Sequence, residues 1–289
     1  MKIEYVPKRF SQSSQYLINR ANEIIAEYLA AGYDLTLRQL YYQFVARGYL
    51  PNKQSEYSKL GSTINNARLA GYLDWDVIED RTRSLHAYTH WNSPKEIITA
   101  CAKQYKIDIW ESQPTYIEVW VEKEALAGVV SKACSELRIP YFACRGYVSQ
   151  SEMWRAAMRF QQKPQMEVLI IHLGDHDPSG IDMTRDIRER LAIFESDNVI
   201  VKRIALNMDQ IEELNPPPNP AKESDSRFTS YIQKYGHQSW ELDALDPSYI
   251  TRLIRQTARA YMDDDQWEES LEEEKKQRQS IWSIAEKMK

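Results

Sequence analysis

Three acidic side chains stand where a folded chain would bring chemistry together. Glu122 follows the apolar run Tyr116–Val121, and Asp175 and Asp177 follow the run Val168–Leu173, in the stretch Gly174-Asp175-His176-Asp177-Pro178-Ser179-Gly180. If both runs are strands of one parallel sheet, all three carboxylates meet at its carboxyl edge, where the functional groups of such sheets gather. Crowded carboxylates repel one another, and a cation relieves the repulsion. Hard oxygen ligands that leave room for water and phosphate favour Mg²⁺. Such an ion polarises a phosphodiester and stabilises charge on its attacking and leaving oxygens. Taken singly, each piece has a plainer explanation: an Asp that caps the next helix, or a Glu that faces solvent. The ordered set is what argues for a site. Glu124 is the alternative to Glu122 but falls inside the following helix, and Glu118 points from within the strand. His176 lies between the two aspartates and by alternation points away from them. His86 and His90 have metal-compatible i, i+4 spacing without a third ligand, which reads as surface histidines.

The elements that must position these groups can be traced along the chain. Apolar residues at helical spacing predict helices over 15–31, 37–47 behind Thr36 as N-cap, and 56–70 up to Gly71. Two short helices around a turn with Gly48 and Pro51, with a third before them, read as a helix-turn-helix or winged-helix (CAP-like) unit. Tyr72–Ile78 would supply its wing. Lys59, Asn65 and Arg68 on the third helix, and Arg81 and Arg83 beyond the wing, are suited to DNA phosphates and base edges. Each of them alone is more simply a solvated surface residue. Ser93-Pro94-Lys95-Glu96 reads as a capping box that opens a connecting helix. After Pro114 short β-rich runs alternate with helical stretches, the pattern of a parallel, Rossmann-like sheet covered by helices. Asn215-Pro216-Pro217-Pro218-Asn219-Pro220 predicts an extended loop. Ser239–Leu245 is distinctive, but no chemical role follows from it, and it reads as a packing corner. The organisation expected is an α/β chain with a helical winged-helix domain at 1–92, a linker at 93–113, and a sheet domain at 114–289.

Composition narrows the classes without naming one. The chain has 289 residues with 43% hydrophobic and 27% charged, enough apolar material for a substantial core. No apolar run is long enough for a bilayer, and no leader sequence is expected. Three cysteines without CxxC spacing argue against a disulfide framework or a zinc knuckle and for a reducing, cytoplasmic setting. The net charge of −5 hides an asymmetry, because residues 1–92 carry 11 basic and 9 acidic side chains. That balance neither demands nor excludes DNA. The acidic run near the C-terminus reads as a solvated helix face.

Glu122 after the first strand, Gly146 after the second and the Gly-Asp-x-Asp-x-x-Gly of residues 174–180 after the third resemble, in that order, the Toprim domain of topoisomerases, primases and related nucleases. The match covers about 116–206. Val121-Glu122-Lys123-Glu124-Ala125 and Gly174–Gly180 resemble more narrowly the A subunit of topoisomerase VI and its meiotic break-making relative, with Lys123 inside the motif. In that family a winged helix precedes the Toprim domain and carries the nucleophilic tyrosine, the second of two adjacent aromatics, four residues after an Arg. Thr36-Leu37-Arg38-Gln39-Leu40-Tyr41-Tyr42 matches, so the resemblance makes Tyr42 the nucleophile and Arg38 its partner. Helix geometry agrees: Leu37, Leu40, Tyr41 and Phe44 form a buried stripe, whereas Tyr42 shares a face with Arg38. A phenol of pKa about 10 needs help at neutral pH, and a guanidinium favours the phenolate and can hold a phosphate.

The resemblance implies Mg²⁺-dependent transesterification on double-stranded DNA, with Mg²⁺ on Glu122, Asp175 and Asp177 and a 5′-phosphotyrosyl link to Tyr42. It also implies a homodimer, with the tyrosine of one protomer meeting the metal of the other, and close backbone approach at Gly146. The sequence shows no P-loop, so an ATPase partner would act in trans. In size the chain is similar to the compact, stand-alone A-subunit-like proteins called Mini-A. Two other readings stay open: a hydrolytic Toprim nuclease that forms no adduct, and a winged-helix DNA-binding protein without catalysis.

Overall fold

The structure is a computed structural model that describes residues 1–78, 89–196 and 198–288. Its N-terminal part is helical: α1 (Gln12–Ala30), α2 (Leu37–Ala46) and α3 (Gln54–Leu69). Thr36 caps α2 through a reciprocal box, its Oγ1 taking the Gln39 N–H while the Gln39 side chain takes the Thr36 N–H. Leu17, Ile18, Ile24, Leu40, Tyr41, Phe44, Leu60 and Ile64 close one core among the three helices. Residues 72–78 form turns with a single parallel bridge from Leu35 to Ile78, so the wing expected there is not a hairpin among the described residues. Helix α4 (Pro94–Gln104) follows, with the Ser93 Oγ accepting the Glu96 N–H and Pro94 in the first turn, where its missing N–H costs nothing.

The remainder is mixed α/β around a parallel sheet. Strands β1 (Thr115–Val121), β2 (Tyr141–Ala143), β3 (Glu167–Leu173) and β4 (Val199–Ala205) lie in the order β2-β1-β3-β4. The residues of β1 and β3 pair from Thr115↔Glu167 to Val121↔Leu173, so both strands end at the same level. Helices α5 (Ala127–Leu137), α6 (Gln150–Gln161) and α7 (Pro178–Ile193) join the strands. Alternation along the strands builds two cores. Ile117, Val119, Val121, Leu169, Ile171 and Leu173 face α5 and a later helix, α10 (Pro247–Arg259). Trp120, Val168, Ile170 and Val201 face α6 and α7. A sheet buried on both faces needs this continuous apolar run.

After β4 come α8 (Met208–Leu214), a two-residue antiparallel ladder of β5 (Asn219–Pro220) with β6 (Gln238–Ser239), and α9 (Phe228–Tyr235) between them. The extended proline loop expected at 215–220 therefore ends in a short ladder. A 3-10 turn at Leu242–Ala244 precedes α10, and α11 (Asp264–Lys287) packs back on α4. Its acidic face is solvated apart from Glu274, which is fully buried and bonded to Arg138, Arg278 and the Ile107 N–H. Among the described residues no helix is long and apolar enough to cross a membrane.

Candidate active site

The carboxyl ends of β1 and β3 form the floor of a cleft of about 580 Å³, and α2 forms its opposite wall. Arg38, Tyr42, Glu122, Lys123, Asp175 and Asp177 all line it, although 80 residues or more of sequence separate the first two from the rest. The three acids meet because β1 and β3 end at the same level. The Glu122 N–H donates to Leu173 O at 2.8 Å, and the Glu122 carboxylate accepts the Asp175 N–H at 2.8 Å. Asp177 caps α7, taking the Gly180 N–H at 2.6 Å and the Ser179 hydroxyl at 3.0 Å, with Pro178 as the first helical residue. This cap starts α7 at Pro178.

Two glycines keep the space beside Glu122 open. A Cβ on Gly174 would stand 3.0 Å from the Glu122 Oε2, and one on Gly180 would stand 3.1 Å from it and 2.2 Å from the Asp175 carbonyl. That last distance makes Gly180 obligatory. Gly146 is used differently from the close approach expected of it. It has φ of 88° and nothing within 4 Å of a Cβ, so it serves a left-handed turn after β2.

Lys123 sits among the acids. Its ammonium is 2.9 Å from Asp175 Oδ2, 2.6 Å from Glu241 Oε2 and 3.0 Å from Asp243 Oδ1. Burial disfavours this ammonium, and the three carboxylates outweigh it and hold the lysine charged well above its usual range. Asp175 Oδ1 also accepts the Leu242 N–H at 2.7 Å. Burial raises the Asp175 carboxyl, as do Glu122 and Asp243, while Lys123 and the Leu242 N–H oppose the rise. Glu122 is raised by burial and by Asp177, against the Asp175 N–H, Lys123 and Arg203.

Lys123 and the helix cap engage the carboxylates of Asp175 and Asp177. Among the described residues no three His, Cys, Asp or Glu side chains stand as a ready-made metal cage. The donor chemistry nevertheless suits a hard divalent cation: three carboxylates border one cleft, and the space at Glu122 Oε2 is one that a single Cβ would fill. Glu124 is turned away from the aspartates and paired with Arg145 at 2.8 Å in a shallower neighbouring pocket.

Tyr42 is buried, 5% exposed, and its ring lies 5.8 Å from the Arg38 guanidinium. Tyr41 packs in the helical core and bonds through its hydroxyl to the backbone at Pro51 and Lys53. The expected effect of Arg38 on Tyr42 is outweighed. Burial raises the Tyr42 phenol, Asp243 and Glu241 raise it further, and Arg38 lowers it by less. The reason is that Arg38 is shared: it pairs with Glu241 and, at 3.0 Å, with Asp243 Oδ2, while Glu241 also accepts the Tyr42 hydroxyl. At neutral pH the phenol of the resting chain stays protonated.

The residues chosen for DNA contact are spread out. Lys59 and Asn65 are exposed on α3 away from the cleft, Lys59 lying 3.7 Å from Glu56. Arg68 is not free, since it stacks on Trp75 at 4.6 Å and donates to the Trp75 carbonyl at 2.5 Å. Arg81, Arg83 and His86 lie outside the described residues. The part of α3 that borders the cleft is its first turn, Gln54 and Tyr57, with Asn52 and Lys53 before it and Lys222 across.

Sequence reading missed Glu241, Asp243 and Arg203. The first two lie in the Ser239–Leu245 stretch that stood out without a role. Its apolar residues Trp240, Leu242 and Leu245 enter the core, while the alternate acids face Arg38 and Lys123. That alternation was the available signal. Within one chain the cleft already holds Tyr42 together with that chain's own acids, whereas the resemblance implies that the tyrosine of one protomer meets the metal of another. A scan against protein-family models finds no match, and a search of curated proteins finds none.

Proposed function

We propose that the protein cleaves double-stranded DNA by transesterification, with Tyr42 as nucleophile and Mg²⁺ held by Glu122, Asp175 and Asp177. The observation that carries this reading is the convergence of Tyr42 and Arg38 with the three carboxylates on one cleft. A bound Mg²⁺ would supply Lewis-acid stabilisation of charge on the phosphodiester oxygens. The chain's own residues supply the rest. The Tyr42 oxygen forms a bond to phosphorus as the bond from phosphorus to the 3′ oxygen breaks. The phenol proton departs and the 3′ oxygen ends as a hydroxyl. Arg38, next to the phenol and half-exposed, is placed to take a phosphate, and doing so draws it from Glu241 and Asp243. Lys123 stays buried among acids and carries positive charge at the edge of the reacting centre. The bond energy is kept in the tyrosyl adduct, so resealing is available to the same groups. On this reading the N-terminal helices are a winged-helix DNA-binding unit, the sheet half is a Toprim domain, and two chains acting as a homodimer cut the two strands.

The raised Tyr42 phenol favours one competing reading, in which water attacks and no adduct forms. Supercoiled plasmid incubated with Mg²⁺ and stopped with detergent separates the two. Transesterification predicts cleavage by the native chain and loss of more than a hundredfold in both Tyr42→Phe and Asp175→Asn. A Tyr42→Phe chain that cuts as well as the native one would establish the hydrolytic reading. No cleavage by any chain, with a DNA mobility shift that survives EDTA, would leave a binding protein.

A further inference from the structure

Arg203, on β4 beneath the cleft, makes contacts that no reaction step above uses. Its Nη2 donates to the carbonyls of Gly174 at 2.9 Å, Asp175 at 2.7 Å and Leu206 at 3.1 Å, and its Nη1 to Gly180 at 2.9 Å. These four carbonyls belong to three separate pieces of chain: the end of β3 that bears Asp175, the first turn of α7 that Asp177 caps, and the end of β4. The β3–β4 pairing shifts register between His172 and Leu173, and beyond the shift the Gly174 N–H donates to the Ala205 carbonyl at 2.9 Å and the Leu206 N–H to the Gly174 carbonyl at 2.8 Å. The guanidinium adds the bonds to the Asp175 and Gly180 carbonyls, which tie the first turn of α7 to those strand ends. The fit is close, since a Cβ on Gly174 would stand 3.1 Å from Arg203 Nη1 and 3.0 Å from Glu122 Oε2. The Arg203 charge also acts on Glu122, Asp175 and Asp177 together.

We infer that Arg203 is the positioning residue of the carboxylate loop: its planar fork locks the strand ends and the α7 cap so that Glu122, Asp175 and Asp177 face one divalent cation. The inference rests on the metal reading of the cleft proposed above. A lysine cannot replace the fork, because one ammonium has neither the plane nor the spread of N–H groups to reach four carbonyls on three segments. Groups that orient metal ligands from behind are worth about 10- to 100-fold in metal affinity. Charge alone predicts the opposite sign: a positive guanidinium near the site repels a cation, so removing it would tighten binding.

The test is calorimetric titration of Mg²⁺ and Mn²⁺ into the full-length chain without DNA, far below the melting temperature of each variant, with circular dichroism to verify folding. Arg203→Lys keeps the charge and loses the fork, and is expected to bind either metal about 10- to 100-fold more weakly. Arg203→Met is expected to bind more weakly as well, despite losing a repelling charge. If Arg203→Met fails to fold, Arg203→Lys decides. Native affinity in Arg203→Lys, or native or tighter affinity in Arg203→Met, would overturn the positioning role while leaving the metal site standing. A native chain that binds neither metal would overturn the metal reading itself, and this inference with it.

Discussion

Tyr42 is held in a state unlike that of an armed nucleophile. Burial and two acids, Asp243 and Glu241, oppose ionisation, and Arg38 divides its charge between those acids and the ring. Asp243 has a fully buried side chain and faces both Arg38 and Lys123. Replacing it has two expected consequences. Asp243→Asn lowers the Tyr42 pKa, because a charge that raises it is gone and Arg38 turns more fully to the phenol; ultraviolet titration against Asp243→Asn/Tyr42→Phe reads this. The same variant leaves Lys123 and Arg38 short of a buried partner and costs about 3 kcal/mol in denaturant unfolding. An unchanged or higher Tyr42 pKa would show that Asp243 does not restrain the phenol. The Arg38–Tyr42 pairing was legible in the sequence because it spans one helical turn. The acids that divert Arg38 were not, since Arg38 and Glu241 lie 203 residues apart and no local periodicity joins them.

Asp177 stands where a role in the fold and the proposed chemistry overlap. Its Oδ1 caps α7, and the same carboxylate borders the cleft. Asparagine caps a helix about as well as aspartate but brings no charge, so the two roles separate. Asp177→Asn is expected to unfold within about 0.5 kcal/mol of the native chain and to lose cleavage. Asp177→Ala costs about 1 kcal/mol more, because the Gly180 N–H loses its acceptor. Thermal melts paired with the plasmid assay read both, and an active Asp177→Asn would confine the residue to capping. Strands, caps and the covering helices were largely readable, since β1 and β3 are apolar runs with acids at their ends, and Thr36, Ser93 and Ser149 each accept a first-turn N–H. The start of α7 was only partly legible: an Asp that caps the next helix was one explanation of Asp177, and the structure has it, with Pro178 as the first helical residue. The wing was expected from position alone, and residues 72–78 carry no strand.

At the scale of the whole chain, the helical N-terminal part is tied to the sheet by polar contacts. The Tyr28 hydroxyl meets Asp246 at 2.9 Å, the Tyr33 hydroxyl meets Thr251 at 2.8 Å, and Asn52 meets Asn219 at 2.6 Å. Lys132 donates to the Ala31 carbonyl at 2.9 Å and the Gly32 carbonyl at 3.0 Å. None of these pairs was legible, because each partner reads as an ordinary surface residue in its own segment. Two buried histidines add to the acid sensitivity of the fold. Burial drops His172 to about 3 and His176 to about 4, with Arg203 adding to both. Both are neutral when folded, and the unfolded chain takes up their protons below about pH 6.5. Their contribution is therefore present above that pH and is lost as pH falls toward 4 and 3. Each unit below about 6 costs up to about 1.4 kcal/mol per histidine. The raised Glu122 and Asp175 carboxyls gain stability over the same range, so melts at pH 7 and pH 5 should show the histidine loss in a Glu122→Gln/Asp175→Asn chain, where a flat profile would mean that neither ring is buried neutral.

If Tyr42 is the nucleophile, it becomes bonded to DNA. The most direct measurement is mass spectrometry of the native chain after reaction with DNA and Mg²⁺, digested with nuclease and then protease. Transesterification predicts a nucleotide mass on the peptide that contains Tyr42, absent from Tyr42→Phe, and 5′ ends blocked by protein. Cleaved DNA with free 5′ phosphates and an unmodified Tyr42 peptide would contradict it.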